Sequence, residues 1–101
     1  MQATYNQTLS RWEIPLAGEV DIANVPQLKQ AFNDCLSQRP ADLFFDAAEL
    51  EFIDSTGLGA LVSAANRAAA HSTSVTVRGL KPHIKRIFVL MKLDTILHLE
   101  D

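Results

Sequence analysis

Residues 3–9 and 11–16 read as extended segments. In the second, Trp12, Ile14 and Leu16 alternate with Arg11, Glu13 and Pro15, the two-residue period of a strand. A turn near Ser10 makes the pair a hairpin. Pro15 lacks an N–H and has to sit where the ladder needs no donor. After Gly18 the period changes. Val25, Leu28, Phe32, Cys35 and Leu36 recur at spacings of three and four, the apolar stripe of a helix. Asn24 can cap that helix, Pro26 is tolerated in its first turn, and Arg39-Pro40 stops it. Leu43-Phe44-Phe45, between Asp42 and Asp46, is the continuous apolar run of a central strand buried on both faces. Residues 47–51 connect it to Phe52 and Ile53, which lead into Asp54-Ser55-Thr56-Gly57-Leu58-Gly59. A second helix follows, with Leu58, Leu61, Val62, Ala65 and Ala69 as its apolar stripe. Val75-Thr76-Val77 is a β-branched strand. Gly79 and Pro82 mark the start of a third helix. Its apolar side is Ile84, Ile87, Phe88 and Met91, with Lys81, Lys85, Arg86 and Lys92 around it. Ile96-Leu97-His98-Leu99 forms a last short strand.

The order is therefore β-β-α-β-α-β-α-β. It predicts an α/β fold with a mixed, mostly parallel β-sheet and helices packed on it. The βαβ crossovers are right-handed and the first strand is antiparallel at one edge. A length of 101 residues, with no Pro/Gly/Ser-rich linker and no repeat, suits one domain over residues 1–101.

Apolar residues make up 48% and charged residues 21%, ordinary for a globular domain. No apolar run approaches the roughly 20 residues that span a bilayer. The polar start, without Lys or Arg, does not read as a secretory signal, so a cytoplasmic address is expected. The single cysteine, Cys35, allows no internal disulfide and reads as a small buried hydrophobe. His71, His83 and His98 are too scattered to suggest a metal site, and no cofactor is expected. A net charge of -3 argues against a nucleic-acid binder. The charge is uneven: residues 1–60 hold three basic and nine acidic side chains, residues 61–101 six basic and three acidic. Either this is scatter over a solvated surface, or it is an acidic face with a basic patch on the last helix. The basic patch is read as the wet side of an amphipathic helix, not as a membrane or nucleic-acid contact.

The chemistry concentrates in Asp54-Ser55-Thr56-Gly57-Leu58-Gly59. Ser55 stands where strand and loop give way to a helix, and a serine there can cap unpaired backbone N–H groups. Gly57 and Gly59 can let another molecule approach the first turn closely. The helix N-terminus favours an anion, including a phosphate on Ser55. The plain alternative is a capping serine with glycines needed for packing.

Phe52-Ile53-Asp54-Ser55-Thr56-Gly57-Leu58-Gly59 resembles the phosphorylation-site loop of bacterial anti-anti-sigma factors, the anti-sigma factor antagonists of the STAS domain family. Leu16-Ala17-Gly18-Glu19-Val20-Asp21 resembles that family's strand-end segment, and the region 79–92 its late helix, so the likeness covers nearly the whole chain. The resemblance implies a single STAS domain that is not an enzyme. It implies that the unphosphorylated form binds an anti-sigma factor that is also a serine kinase, freeing its target. Phosphorylation of Ser55 then abolishes binding and a metal-dependent serine phosphatase restores it, with no nucleic acid or membrane contact and a monomer when free. Asp21 matches the family's aspartate beside the serine, while Asp54, Thr56, Gly57, Leu58 and Gly59 belong to the partner-binding loop. Thr56 stands where many members have a second serine, which makes it a rival acceptor. The final helix of many members has no counterpart after Leu99.

A serine hydrolase elbow, G-x-S-x-G, requires glycine where Ile53 stands. A dinucleotide fingerprint begun by Gly57-Leu58-Gly59 has Val62 at its third glycine, and no Walker lysine is present. Within the same family the alternative is an accessory STAS subunit or scaffold of a lipid-transport ATPase or another signalling complex.

Overall fold

The computed structural model describes residues 2–101. The chain opens with a hairpin of β1 (Thr4–Asn6) and β2 (Arg11–Pro15), paired antiparallel. Ser10 takes the positive φ of 54° that the tight reversal needs. Helix α1 (Val25–Gln38) leads to β4 (Asp42–Asp46), helix α2 (Ser55–Ala70) to β6 (Val75–Arg78), and helix α3 (Pro82–Leu90) to β7 (His98–Glu100). The main sheet has the order β1-β2-β4-β6-β7 with every pairing after the first parallel, so β4 is central and β1 lies at an edge. The mixed, mostly parallel sheet and its helix order are those read from the hydrophobic pattern. Pro15 lies beyond the reach of β1 and breaks no bond of the hairpin.

Two short strands add to that pattern. β3 (Gly18–Val20) and β5 (Leu50–Ile53) pair in parallel as a separate two-stranded sheet. They fall in the segments that periodicity reads as a strand end and a connection. Three- and four-residue strands carry too few alternations to register a period.

Ile14, Leu43, Phe45, Val75 and Val77 line one face of the main sheet. They share a single core with Leu28 and Phe32 of α1, Leu61 and Ala64 of α2, and Ile84 and Phe88 of α3. Phe44 points to the other face, where the Arg11 guanidinium covers its ring at 3.7 Å from the centroid. The α1 stripe is buried as expected. Burial and the neighbouring Asp34 push the Cys35 thiol up to about 11, consistent with an inert core side chain.

Two helix faces differ from expectation. In α2 the buried line is Gly57, Leu58, Ala60, Leu61, Ala64 and Ala68, while Val62 and Ala65 are only partly buried and Ala69 is exposed. The closest approach between packed elements selects the smallest side chains, so the alanines go in and the bulkier valine is displaced to the flank. In α3 only Ile84 and Phe88 are buried; Ile87 and Met91 are 39% and 55% exposed. No helix of the described residues is long and apolar enough to cross a membrane.

Candidate functional site

Pairing of β3 with β5 sets Glu19 opposite Phe52 and Val20 opposite Ile53, which brings the residue 19–24 loop beside the start of α2. The join is fastened at Asp54, whose backbone N–H donates to the Val20 carbonyl at 3.1 Å. One oxygen of its side chain accepts from the backbone N–H of Ile22 at 3.2 Å. The other accepts from the backbone N–H of Gly57 at 2.9 Å and from the hydroxyl of Thr56 at 2.5 Å. Asp54 is therefore the N-cap of α2. These donors, Thr56 first and then Gly57, hold its carboxyl below the usual aspartate range.

This corrects the capping role read for Ser55. Ser55 is the first residue of α2, exposed to solvent, and its side chain has no hydrogen-bond partner among the described residues. Thr56 is half-buried and its hydroxyl is committed to Asp54, which sets the two hydroxyls apart as acceptors.

The two glycines also separate. A Cβ on Gly57 would lie 2.6 Å from Cγ1 of Ile53 and 2.9 Å from the Val20 carbonyl oxygen. Its bareness serves the packing of α2 against β3 and β5, not the approach of another molecule. Gly59 is exposed and a Cβ there would meet nothing within 4 Å, so the space beside it is open. Leu58 is buried and belongs to the core.

Asp21 is brought to the same rim, but its contacts are with its own loop. Its carboxylate accepts from the backbone N–H of Ala23 at 3.0 Å, and its carbonyl from those of Asn24 and Val25. Asn24 stands at the N-cap position of α1 without capping it. Its side chain accepts from the Asp21 N–H at 2.9 Å and donates to the Glu19 carbonyl at 2.7 Å, bracing the loop. Two apolar side chains flank the site unannounced by the sequence: Ile22, 73% exposed, and Phe52, 48% exposed. Ile22 falls outside any period, and Phe52 looks like ordinary strand interior. Only the folded chain shows that both are exposed.

The surface around Ser55 thus carries an available hydroxyl, two exposed apolar side chains, the carboxylates of Glu19 and Asp21 on the adjoining loop, and the capping carboxylate of Asp54. A cavity of about 420 Å³ lies elsewhere, lined by Thr4, Glu13, Pro15 and Phe44 among others, and includes no residue of the Ser55 loop.

The family model described as "Mlab, STAS domain" matches residues 3–99, and the chain belongs to the STAS domain family. Among curated proteins it is similar to the anti-sigma-B factor antagonist of Staphylococcus aureus, 23% identical over 90 residues that cover 89% of this chain and 83% of that protein. Among solved structures it is similar to a Thermotoga maritima protein described as a candidate anti-sigma factor antagonist. That match has a TM-score of 0.87 at 20% identity and covers 99% of this chain and 85% of the other. The phosphorylated form of the Bacillus cell fate determinant SpoIIAA aligns with a TM-score of 0.75 at 20% identity, covering 97% and 88%. These structural likenesses establish the fold.

Proposed function

We propose that this chain is an anti-sigma factor antagonist, a protein-binding switch without catalysis of its own. Unphosphorylated, it binds an anti-sigma factor that is also a serine kinase and so frees that protein's target. Phosphorylation of Ser55 abolishes the complex, and a metal-dependent serine phosphatase restores it. The observation that carries this reading is the division of labour at α2: Asp54 caps, Thr56 is bonded to the cap, and Ser55 stands exposed with an uncommitted hydroxyl. Curated relatives named as antagonists and a structural neighbour solved in its phosphorylated form support it.

The switch is electrostatic and steric. A phosphate adds about -1.5 to -2 charges at pH 7. It arrives on a rim that already holds Glu19, Asp21 and Asp54. The dipole of α2 offsets on the order of 0.3–1 kcal/mol of that. Burying the remainder unpaired in an interface costs several kcal/mol, enough to change affinity by orders of magnitude. Ile22 and Phe52 supply apolar anchors around the serine, and the open space at Gly59 admits the partner's backbone.

The test is intact-mass spectrometry after incubation with ATP, magnesium and soluble extract of the source cell, with the added phosphate mapped. A single phosphate on Ser55, absent from Ser55→Ala, is expected. Ser55→Ala keeps partner binding and loses switching, and Ser55→Asp weakens binding less than phosphate does. Phosphate on Thr56, or undiminished labelling of Ser55→Ala, would overturn the assignment. A folded chain that takes up no phosphate returns the reading to a constitutive scaffold, such as an accessory subunit of a lipid-transport ATPase.

A further inference from the structure

Helix α3 presents an outward stripe that the core does not use. Ile87, Leu90 and Met91 are 39%, 74% and 55% exposed, at the i, i+3, i+4 spacing that places them together on one side of the helix. Single exposed apolar residues are ordinary, but three neighbours on two turns form a patch. The patch lies in the most basic part of the chain. Residues 55–93 contain Arg67, Arg78, Lys81, Lys85, Arg86 and Lys92 and no carboxylate side chain. Some of these cations are occupied: Lys81 donates to the carbonyls of Ala48 and Leu50, Lys85 pairs with Asp101, and Arg78 pairs with Asp46. Arg86, one position before Ile87, is exposed and has no ion-pair partner among the described residues.

We propose that this side of α3 is a second protein-docking surface, distinct from the Ser55 rim, whose partner presents an apolar pocket edged by carboxylates. Ile87, Leu90 and Met91 are the anchors, and Arg86 supplies the charge match. A lipid surface fits less well. The stripe spans only the end of a nine-residue helix, a small apolar area for seating a helix in a membrane interface. The acidic Ser55 rim and the basic α3 side make the chain a two-sided adaptor, with phosphorylation acting on one side only. The inference stands apart from the switch reading, because an α3 partner is required whether or not Ser55 is modified.

The test places the photo-crosslinker p-benzoylphenylalanine at position 90 of the full chain expressed in its source cell, with a control probe at exposed Gln30 on α1. The crosslinked peptide is then identified by mass spectrometry. A protein adduct is expected whose contacting segment combines apolar residues with Asp or Glu, and which is absent from the Gln30 probe. Its yield should fall about tenfold with Arg86→Glu, as loss of charge complementarity dictates. It should be unchanged by Ser55→Asp. Thermal melts of Arg86→Glu that match the parent show that the loss is not unfolding. Adducts to lipid, to a second copy of this chain, to a segment without carboxylates, or to no protein overturn the proposal. So does an adduct lost on Ser55→Asp, which would make α3 part of the Ser55 interface.

Discussion

At the first turn of α2, adjacent residues carry tasks that pull in different directions, and substitutions should separate them. The cap depends on the Asp54 carboxylate, held more acidic than usual by Thr56 and by the N–H groups of Gly57 and Ile22. A carboxyl whose folded value is depressed stabilises fully above its unfolded value, about 3.9 for aspartate, and loses that contribution as the pH falls through the folded value. Asp54→Asn keeps an acceptor oxygen without the charge. Its melting temperature should therefore lie below the parent's at neutral pH, with the gap closing below about pH 4. Melts followed by circular dichroism across that range check this, and a gap that stays constant would show that the charge contributes nothing. The glycines make a second pair. Gly57→Ala drives a methyl into Ile53 and the Val20 carbonyl and should cost about 1–3 kcal/mol, the ordinary range for overpacking. Gly59→Ala meets open space in a helix and should gain about 0.5–1 kcal/mol in urea unfolding while weakening the proposed partner complex. Equal effects of the two on stability would remove the distinction drawn between them.

At the scale of elements, the helices and the main-sheet strands were legible in their order, and the β3–β5 pairing was not. The α1 stripe of Val25, Leu28, Phe32, Cys35 and Leu36 is buried residue for residue, because its large apolar side chains stand out from polar neighbours, whereas the alanines on every side of α2 blur which face is buried. The β3–β5 sheet, which builds the site, was invisible because it depends on a contact between residues more than thirty apart in sequence. The cap is a different case: the bond from the Gly57 N–H to Asp54 is local, and Asp is as good a capping residue as Ser, so the pattern alone left the choice between the neighbours Asp54 and Ser55 open. Hydropathy also overestimates how much of a helix is covered. In α3 it enlists Ile87 and Met91, whereas one side of a short helix needs only Ile84 and Phe88 to seal the core. Phe88→Ala should thus cost about 3–5 kcal/mol by leaving a cavity. Ile87→Ala should stay within about 0.5 kcal/mol of the parent. Denaturant titration of the two variants decides it, and a large loss at Ile87 would mean that α3 packs through the side assigned here to solvent.

For the whole molecule the question is whether phosphorylation changes shape or only surface. The Ser55 side chain is exposed, has no hydrogen-bond partner among the described residues, and is attached to a helix end held by Asp54, Val20 and Ile22. A phosphate there breaks no existing hydrogen bond. The α2 dipole favours it by about 0.3–1 kcal/mol, and the neighbouring carboxylates oppose it by like-charge repulsion. The net effect on folding is then small: in a domain of about 100 residues, 1 kcal/mol shifts the melting temperature by about 4–8 °C, so the phosphorylated chain should melt within that interval of the parent. Amide NMR shifts should change only in the 19–24 loop and around residues 51–60, while affinity for the proposed anti-sigma partner falls by orders of magnitude. An interface can be switched this strongly by a group that barely perturbs the fold, because the cost arises only when the partner strips water from the phosphate. Shifts spread through the main sheet, or a melting transition displaced well beyond that interval, would instead indicate a conformational switch and would sink the surface mechanism.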